Sequence, residues 1–297
     1  MAEALESIVA KLRAGGRPSD ADVQFLQSTS DIITLGMLAE DVRRSRHGDR
    51  VTFLRVARVA VRDAAGTGPF PAEAGEVRLD GPVASIDEAV GAARVVVARA
   101  GPTPVSAFSM DQLAEVATAS GLPLDVGLAR VKEAGLTSVA RMALDGTLDV
   151  TRALEAAARA GLAVARVGFE HPGDGWLPQV RTLLSALEAL SAVRVLAPLP
   201  RRLDPAAPTT GYEDLKRVAL ARLLAGPIDT IQVDWARYGP KLAQVSLAFG
   251  ADDLDAVPAA DPAATAPRRT TLEELRRNVR AAGFTPVERD GRWERKQ

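Results

Sequence analysis

The feature that most constrains the fold of this chain is a repeated alternation of short β-branched runs with amphipathic segments. Such alternation is typical of parallel strands joined by helices, and many right-handed crossovers in succession close most easily into a barrel. We therefore predict an α/β fold of the TIM-barrel type, partial or complete, with a doubly wound open sheet as the alternative. The predicted strands lie at residues 51–61, 94–98, 104–107, 138–142, 163–169, 193–197 and 230–233, with a possible short strand at 76–79.

Helical periodicity and capping residues fill the intervals between these strands. The predicted helices lie at residues 2–13, 31–46, 85–92, 110–120, 124–134, 147–160, 175–190, 212–225 and 239–248, with a short helix after Ser19 or Asp20. Residues 251–270 have no apolar period and are predicted to be irregular, before a capped helix that ends near 282 and an extended piece at 284–289. We expect a single domain, with N-terminal helices at 1–50, the barrel at 51–250 and a C-terminal extension at 251–297.

Composition limits the class of protein and its partners. Hydrophobic residues make up 47% of the chain and charged residues 25%, which is the balance of a globular protein with a large core. The 37 basic residues are matched by 38 acidic ones, so we expect no nucleic-acid partner. Charged residues interrupt the apolar residues of the N-terminus, which predicts a cytoplasmic protein without a membrane span.

The chain contains no cysteine. This excludes a disulfide, a thiolate zinc site, a cysteine nucleophile and an iron–sulfur cluster held by the chain's own cysteines. The two histidines, His47 and His171, leave little capacity for a histidine-rich metal centre, and we expect neither a metal nor a cofactor.

Three segments match a known family in order along the chain. They are LGMLAEDVRRSRHGDRV at 35–51, residues 104–136, and residues 210–254, which include the long string IQVDWARYGPKLAQVSLAFGADD. The chain thereby resembles aminofutalosine synthase and dehypoxanthine futalosine cyclase, which are kin of the deazaflavin-cofactor synthases. The resemblance covers about 31 to 289, and it implies a radical S-adenosylmethionine barrel that serves menaquinone synthesis by the futalosine route.

The chain departs from this family where the family's chemistry begins. After the His-Gly-Asp-Arg-Val element the family carries C-x3-C-x2-C, whose thiolates hold a cluster with one open iron for S-adenosylmethionine. Residues 59–75 stand there instead, VAVRDAAGTGPFPAEAG, with no cysteine or histidine. The family's glycine-rich strand end also has no counterpart in residues 94–104, and its acidic pair is replaced by residues 255–264. We expect no radical catalysis.

Candidate acids and bases follow the strand predicted at 163–169, at the end where barrel enzymes carry their reactive groups. His171 is a candidate acid or base, with Glu170 or Asp174 to orient it. The alternative is a solvated turn in which Asp174 caps the next helix.

A second group surrounds the end of the strand predicted at 230–233. Trp235 and Tyr238 are candidates to line a flat ligand, Asp234 is a further candidate acid or base, and Gln232 and Lys241 are candidate polar contacts. The alternative is that this element closes the barrel and its polar groups satisfy one another.

Arginines lie along the first predicted strand and near the end of a later one. Arg55, Arg58 and Arg141 are candidates to clamp a carboxylate or phosphate of a ligand, whereas arginines on the outer face of a barrel need no anion.

Two classes of function fit these observations. The first is a barrel without radical chemistry that acts as a partner or stabiliser of a cluster-bearing paralogue, or binds a nucleoside-type intermediate of the pathway. The second is a redox-neutral hydrolase, lyase or isomerase that uses Glu170, His171 and Asp234. Convergent polar groups at the strand ends favour a ligand, and an apolar filling beside an apolar outer patch favours a protein partner.

Overall fold

The computed structural model describes every residue except 1–6, 9, 13, 15, 17, 174, 188–192, 204, 205, 207, 208, 261–271 and 297. Eight parallel strands form a closed barrel in the order β1-β2-β3-β4-β6-β7-β8-β9, and β9 pairs with β1 to close it. These strands are β1 Arg50–Ala60, β2 Glu76–Asp80, β3 Val105–Ser109, β4 Ser138–Ala143, β6 Val167–Phe169, β7 Val195–Pro200, β8 Thr230–Asp234 and β9 Asp253–Pro258. The predicted TIM-barrel class is confirmed.

Two further strands extend the sheet outside the ring. The short β5, Ala163–Val164, pairs with β4, and β10, Thr285–Arg289, pairs in parallel with the first half of β1. The extended piece predicted at 284–289 is therefore β10, which lies beside the N-terminal end of the barrel.

Helices surround the barrel and connect its strands. They are α1 Asp20–Ser28, α2 Ile32–His47, α3 Ile86–Ala100, α4 Met110–Ala119, α5 Leu124–Glu133, α6 Val150–Ala160, α7 Trp176–Leu187, α8 Gly211–Leu224, α9 Trp235–Leu247 and α10 Leu272–Ala281. Ser85, Ser109 and Asp149 begin helices after strands, because each side chain accepts a hydrogen bond from the amide three residues later. In the part of the chain that the structure describes, no helix has the length and apolar character to cross a membrane.

The strand predicted at residues 94–98 is wrong, because these residues belong to α3. Ala89, Ala93 and Val96 are buried at helical spacing and override the β preference of the Val95–Val97 run. Residues 94–104 are therefore not a strand end. The possible short strand at 76–79 is instead the second barrel strand, β2, which ends at Asp80.

The irregular segment predicted at 251–270 is also wrong in its first part, because residues 253–258 form β9. Asp253 and Asp255 face the barrel interior and pair with buried arginines, so β9 lacks the apolar alternation by which strands are normally recognised. Residues 261–270 lie outside the described residues, and the helix predicted at 2–13 lies only partly within them. The predicted strand 163–169 divides into β5 and β6.

One buried arginine joins α8 to the segments that lead into β8 and β9, at the N-terminal end of the barrel. Arg222 on α8 is fully buried, and its guanidinium donates to the carbonyls of Gly250 and Asp229 at 2.8 and 2.9 Å and to the Asp252 carboxylate. Asp252 also accepts the amide of Ile231 at the start of β8. Among the described residues, no arginine or lysine other than Arg222 donates a hydrogen bond to the Asp252 carboxylate.

We predict that Arg222→Gln lowers the free energy of unfolding by about 3–5 kcal/mol, because it leaves the Asp252 carboxylate buried without its cation. Urea denaturation measures this loss. Arg277→Gln, at an exposed position of α10, is the matched control and should change stability by less than about 0.5 kcal/mol. Equal stability of the two variants would contradict the assignment.

Candidate functional site

The interior of the barrel is filled by buried ion pairs. Arg78 on β2 donates through both terminal nitrogens to the carboxylate of Asp255 on β9, at 3.0 Å each, and through Nε to Glu76 at 2.8 Å. Arg166, just before β6, reaches the same Asp255 from the other side of the barrel. Although burial raises it, the pKa of Asp255 lies well below its usual value because Arg166 and Arg78 flank the carboxylate. These charges are therefore present together and hold three walls of the barrel to one another.

A second buried pair lies beside the first. Arg289 of β10 forms a two-pronged contact with Asp253, with both N–O distances at 2.7 Å. The side chains of Gln232 and Thr52 also donate to Asp253, at 2.7 and 2.5 Å. Asp253 and Asp255 are two residues apart on β9, so both side chains face the interior.

Above these pairs, charged side chains form a ring at the C-terminal mouth of the barrel. Arg58 lies 3.6 Å from Asp80 and 3.9 Å from Asp234, and Arg141 lies 3.5 Å from Asp80. Arg141 continues to Glu170 at 3.1 Å. We call this the rim ring, and its members are Arg58, Asp80, Arg141, Glu170, Arg201, Arg237 and Asp234.

The rim ring closes where two of its arginines, Arg201 and Arg237, contact each other. Arg201 lies 3.3 Å from Glu170, and Arg237 lies 3.9 Å from Asp234. Where the two arginines adjoin, Arg237 donates to the backbone carbonyl of Arg201 rather than to a carboxylate of the ring. The ring therefore contains four guanidinium groups and three carboxylates, and its excess positive charge falls where Arg201 and Arg237 adjoin.

The two adjoining arginines have unused donors. The Nε atoms of Arg201 and Arg237 are buried and have no hydrogen-bond partner among the described residues, because the nearby carboxylates are at salt-bridge distance without hydrogen-bond geometry. Burial, reinforced by Arg141 and Arg166, lowers the pKa of Arg201 to about 10. An anion placed here would satisfy both donors.

The space at the mouth is small inside and open outside. The cavity there has a volume of about 30 Å³, which holds one or two water molecules, and it opens to solvent. Its lining includes Arg141, Arg166, Glu170, Arg201, Gln232, Asp234, Arg237 and Tyr238. The Tyr238 hydroxyl donates to the carbonyl of Pro200 at 2.6 Å, and burial raises the pKa of this phenol above its usual value, so it remains protonated.

The structure gathers some of the predicted ligand-binding residues and separates others. Arg58, Arg141, Gln232, Asp234 and Tyr238 meet at or below the mouth, as the strand ends predicted. Arg55 lies buried on β1, where its guanidinium donates to the carbonyl of Ala259. Trp235 is buried in the hydrophobic core, and Lys241 is exposed on α9, so neither faces the mouth.

The predicted acid–base group has a different arrangement from the one expected. Glu170 pairs with Arg141 and Arg201, and it is Asp145 that lies 3.3 Å from Nδ1 of His171. Asp145 also accepts the backbone amides of Glu170 and His171 at 2.8 Å each, and against the opposing effect of burial these bonds lower its pKa. The side chain of His171 is 60% exposed and lies outside the mouth, and Asp174 lies outside the described residues.

Sequence reasoning missed three members of the site, each of which lies at or just beyond the end of a strand. Arg201 directly follows β7, Asp80 ends β2, and Arg237 lies three residues after Asp234. The arginine pair at 201 and 202 after an apolar strand was a readable signal. Asp80 was hidden because β2 was predicted only as a possible strand.

The resemblance to radical S-adenosylmethionine enzymes implies a cluster in the connection after β1, and the residues there do not fit one. Residues 61–75 pass from β1 to β2 with a single three-residue 3-10 turn, Val61–Asp63. The connection is pinned by Arg99 of α3, which donates to the carbonyls of Ala64 and Gly68 and lies 4.5 Å from the ring of Phe70. With no thiol in the sequence, this segment has no soft ligand for iron.

S-adenosylmethionine does not fit the interior either. Sites for molecules of this size are cavities of roughly 300 Å³ or more. The barrel interior is instead taken up by the Arg78, Asp255 and Arg166 ion pairs, and the enclosed volume is about 30 Å³. The residues of this barrel therefore support neither the cluster nor S-adenosylmethionine as a participant in its chemistry.

The C-terminal third of the chain matches a family model. Residues 199–297 match the CofH/MqnC C-terminal region. The chain is 40% identical over 92 residues to aminodeoxyfutalosine synthase of Streptomyces coelicolor, across 29% of this chain and 24% of that protein. It is 29% identical over 217 residues to 5-amino-6-(D-ribitylamino)uracil--L-tyrosine 4-hydroxyphenyl transferase of Archaeoglobus fulgidus, across 63% of each chain. The matched regions thus span from a quarter to under two thirds of these relatives.

Solved structures share the fold at low sequence identity. The crystal structure of methylornithine synthase superposes with a TM-score of 0.67 at 13% identity, over 94% of this chain and 97% of that one. The hydrogenase maturase HydG of Carboxydothermus hydrogenoformans gives a TM-score of 0.66 at 14% identity, over 96% of this chain and 79% of that one. The C-terminal third of the chain is therefore similar in sequence to the futalosine-pathway enzymes, and the chain as a whole shares its fold with these two solved structures while containing no cysteine.

Proposed function

We propose that this chain binds an anionic small molecule of the futalosine route to menaquinone at the mouth of its barrel, without radical chemistry. The observation that carries the proposal is the excess of arginine in the rim ring where Arg201 and Arg237 adjoin: each buried Nε contacts a carboxylate only at ion-pair distance and makes no hydrogen bond with the described part of the chain. A buried guanidinium donor without a partner is costly, and a ligand carboxylate would remove that cost.

The dimensions of the mouth favour a ligand that presents its anionic group inward. The cavity of about 30 Å³ accommodates little more than one small polar group, and because it opens to solvent the remainder of a nucleoside-type molecule would lie outside it. In this arrangement the ligand's carboxylate lies against Arg201 and Arg237, and the protonated hydroxyl of Tyr238 lies nearby. Binding of this kind requires no change in the redox state of the ligand.

A protein-partner role is the second candidate, and one surface feature favours it. Ile33 and Met37, one turn apart on α2, are 72% and 63% exposed. Two large apolar side chains on one helical face are suited to contact with another protein, such as a cluster-bearing paralogue. The mouth of the barrel carries the more specific chemistry, so ligand binding is our leading proposal.

We predict that anaerobic reconstitution with iron and sulfide leaves the purified protein without a stoichiometric cluster, because residues 61–75 supply no thiolate. Iron and sulfide analysis with electron paramagnetic resonance measures this, and a cysteine-containing paralogue processed in parallel controls for the procedure. One cluster per chain would refute the non-radical assignment.

We further predict that Arg201→Gln weakens binding of aminofutalosine-type nucleosides at least tenfold in calorimetric titration, because a charge-assisted hydrogen bond contributes about 1.5–3 kcal/mol. Arg201→Lys, which keeps the charge and loses the fork, should fall between Arg201→Gln and the unmodified protein. Arg277→Gln should bind as the unmodified protein does.

The proposal fails if these carboxylate-bearing nucleosides do not bind, or if Arg201→Gln and Arg277→Gln bind them equally. Absence of binding, combined with co-purification of a cluster-bearing paralogue that a charged substitution at Met37 abolishes, would select the partner role instead.

A further inference from the structure

A second cavity lies at the opposite end of the barrel from the rim ring. It is formed where strands begin, around Arg50 and Thr52 of β1, Thr230 of β8 and the hairpin that follows β10. Its volume is about 120 Å³, several times the space enclosed at the mouth. The cavity is lined by His47, Arg50, Thr52, Arg194, Asp229, Thr230, Asp252, Val287, Arg289, Trp293 and Arg295.

Positive charge is in excess around this cavity. Four of the lining residues are arginines and two are aspartates. Both aspartates are engaged, since Asp252 pairs with the buried Arg222 and Asp229 lies 3.2 Å from Arg194. His47 Nε2 lies 3.0 Å from the carbonyl of Asp229.

Two of the four arginines are available to a ligand. Arg289 is held by Asp253 and Arg194 by Asp229, whereas across the described residues no carboxylate pairs with Arg50 or Arg295. Arg50 makes a long contact of 3.4 Å from Nε to the carbonyl of His47. Both arginines are exposed to solvent, so their guanidinium groups have donors available to an anion in the cavity.

The backbone places an aromatic side chain at the same cavity in an unfavourable conformation. Trp293 has a φ of 69°, in the left-handed region that bulky residues rarely adopt. It occupies the tight turn between Arg289 and Arg295, a position where glycine or asparagine is normally preferred. Its ring lies 3.6 Å from the guanidinium carbon of Arg289 and 4.5 Å from that of Arg194. The strained turn thereby fixes a wall of the cavity and the arginines around it.

We propose that this cavity is a binding site for a phosphate-class dianion, either inorganic phosphate or the phosphate of a monoester. Guanidinium forks match the oxygens of phosphate in paired hydrogen bonds, and two unpaired arginines match its double charge better than that of a single carboxylate. The site shares no residue with the rim ring, so it does not depend on the function proposed above.

The experiment is a titration of the full-length protein with sodium phosphate and with a nucleoside 5′-monophosphate, at constant ionic strength and with chloride as the reference anion. Calorimetry gives the affinity, and tryptophan fluorescence reports the location. Trp176 and Trp235 are buried, at 8% and 3% exposure, whereas Trp293 is partly exposed at the cavity and should dominate the ligand-dependent signal.

We expect binding by both probes with a change in fluorescence that Trp293→Phe removes. Arg50→Gln with Arg295→Gln should weaken binding at least tenfold, and Arg295→Gln alone, at an exposed position, should weaken it measurably without loss of folding. Arg201→Gln and Arg277→Gln are matched controls and should leave this binding unchanged. A nucleotide that changes the Trp293 fluorescence at much lower concentration than phosphate does would identify a monoester as the ligand, and equal affinities by this signal would identify free phosphate.

The proposal is overturned if phosphate and the nucleotide bind no better than chloride, or if Arg295→Gln, checked for folding by thermal melting, binds them as the unmodified protein does. Loss of this binding in Arg201→Gln would likewise overturn it, because the anion would then sit at the mouth.

Discussion

Asp255 holds the barrel interior together. Its carboxylate lies between two fully desolvated arginines, Arg78 from β2 and Arg166 beside β6, while its own strand closes the ring against β1. A charge in such surroundings is tolerated only when its partners stay in place, so the three walls cannot separate without exposing an unpaired ion to a medium of low polarity. The neighbouring Arg289 and Asp253 pair extends this constraint to β10. The interior is thus filled by ions whose positions are mutually determined.

This filling limits what the barrel can hold. A barrel that must admit a large cofactor needs an accessible interior, and that interior is here occupied by guanidinium and carboxylate groups. Toward the C-terminal mouth this polar layer continues into the rim ring. Arginines alternate with carboxylates around the ring, except where Arg201 and Arg237 are neighbours. The break in alternation lies at the C-terminal ends of the strands, where barrel proteins generally carry their ligands. The ligand binding that we propose at this mouth would therefore rest on electrostatic recognition.

The parts of the structure that were predictable are those that follow an apolar period. Strands such as β1 and β4 and helices such as α4 and α5 were assigned near their observed bounds, because their buried faces are apolar. β9 was missed because its inward residues are aspartates, and α3 was split because three consecutive valines favour a strand locally while burial of its alanines favours a helix. The mouth was only half predicted. Strand ends identified Arg141 and Asp234, but the contact between Arg58 of β1 and Asp234 of β8 depends on closure of the barrel, which local patterns do not encode.

The connection between β1 and β2 differs from the other connections of the barrel. Elsewhere around the ring, most strands are followed by a helix of at least ten residues before the next strand begins, whereas this connection has only the 3-10 turn and a stretch fastened by Arg99. Three substitutions to cysteine would give the segment thiols, but they would not release it from Arg99 of α3. Substitutions in this connection alone would therefore not make room for a large cofactor beside it, because the Arg78, Asp255 and Arg166 ion pairs would still fill the interior.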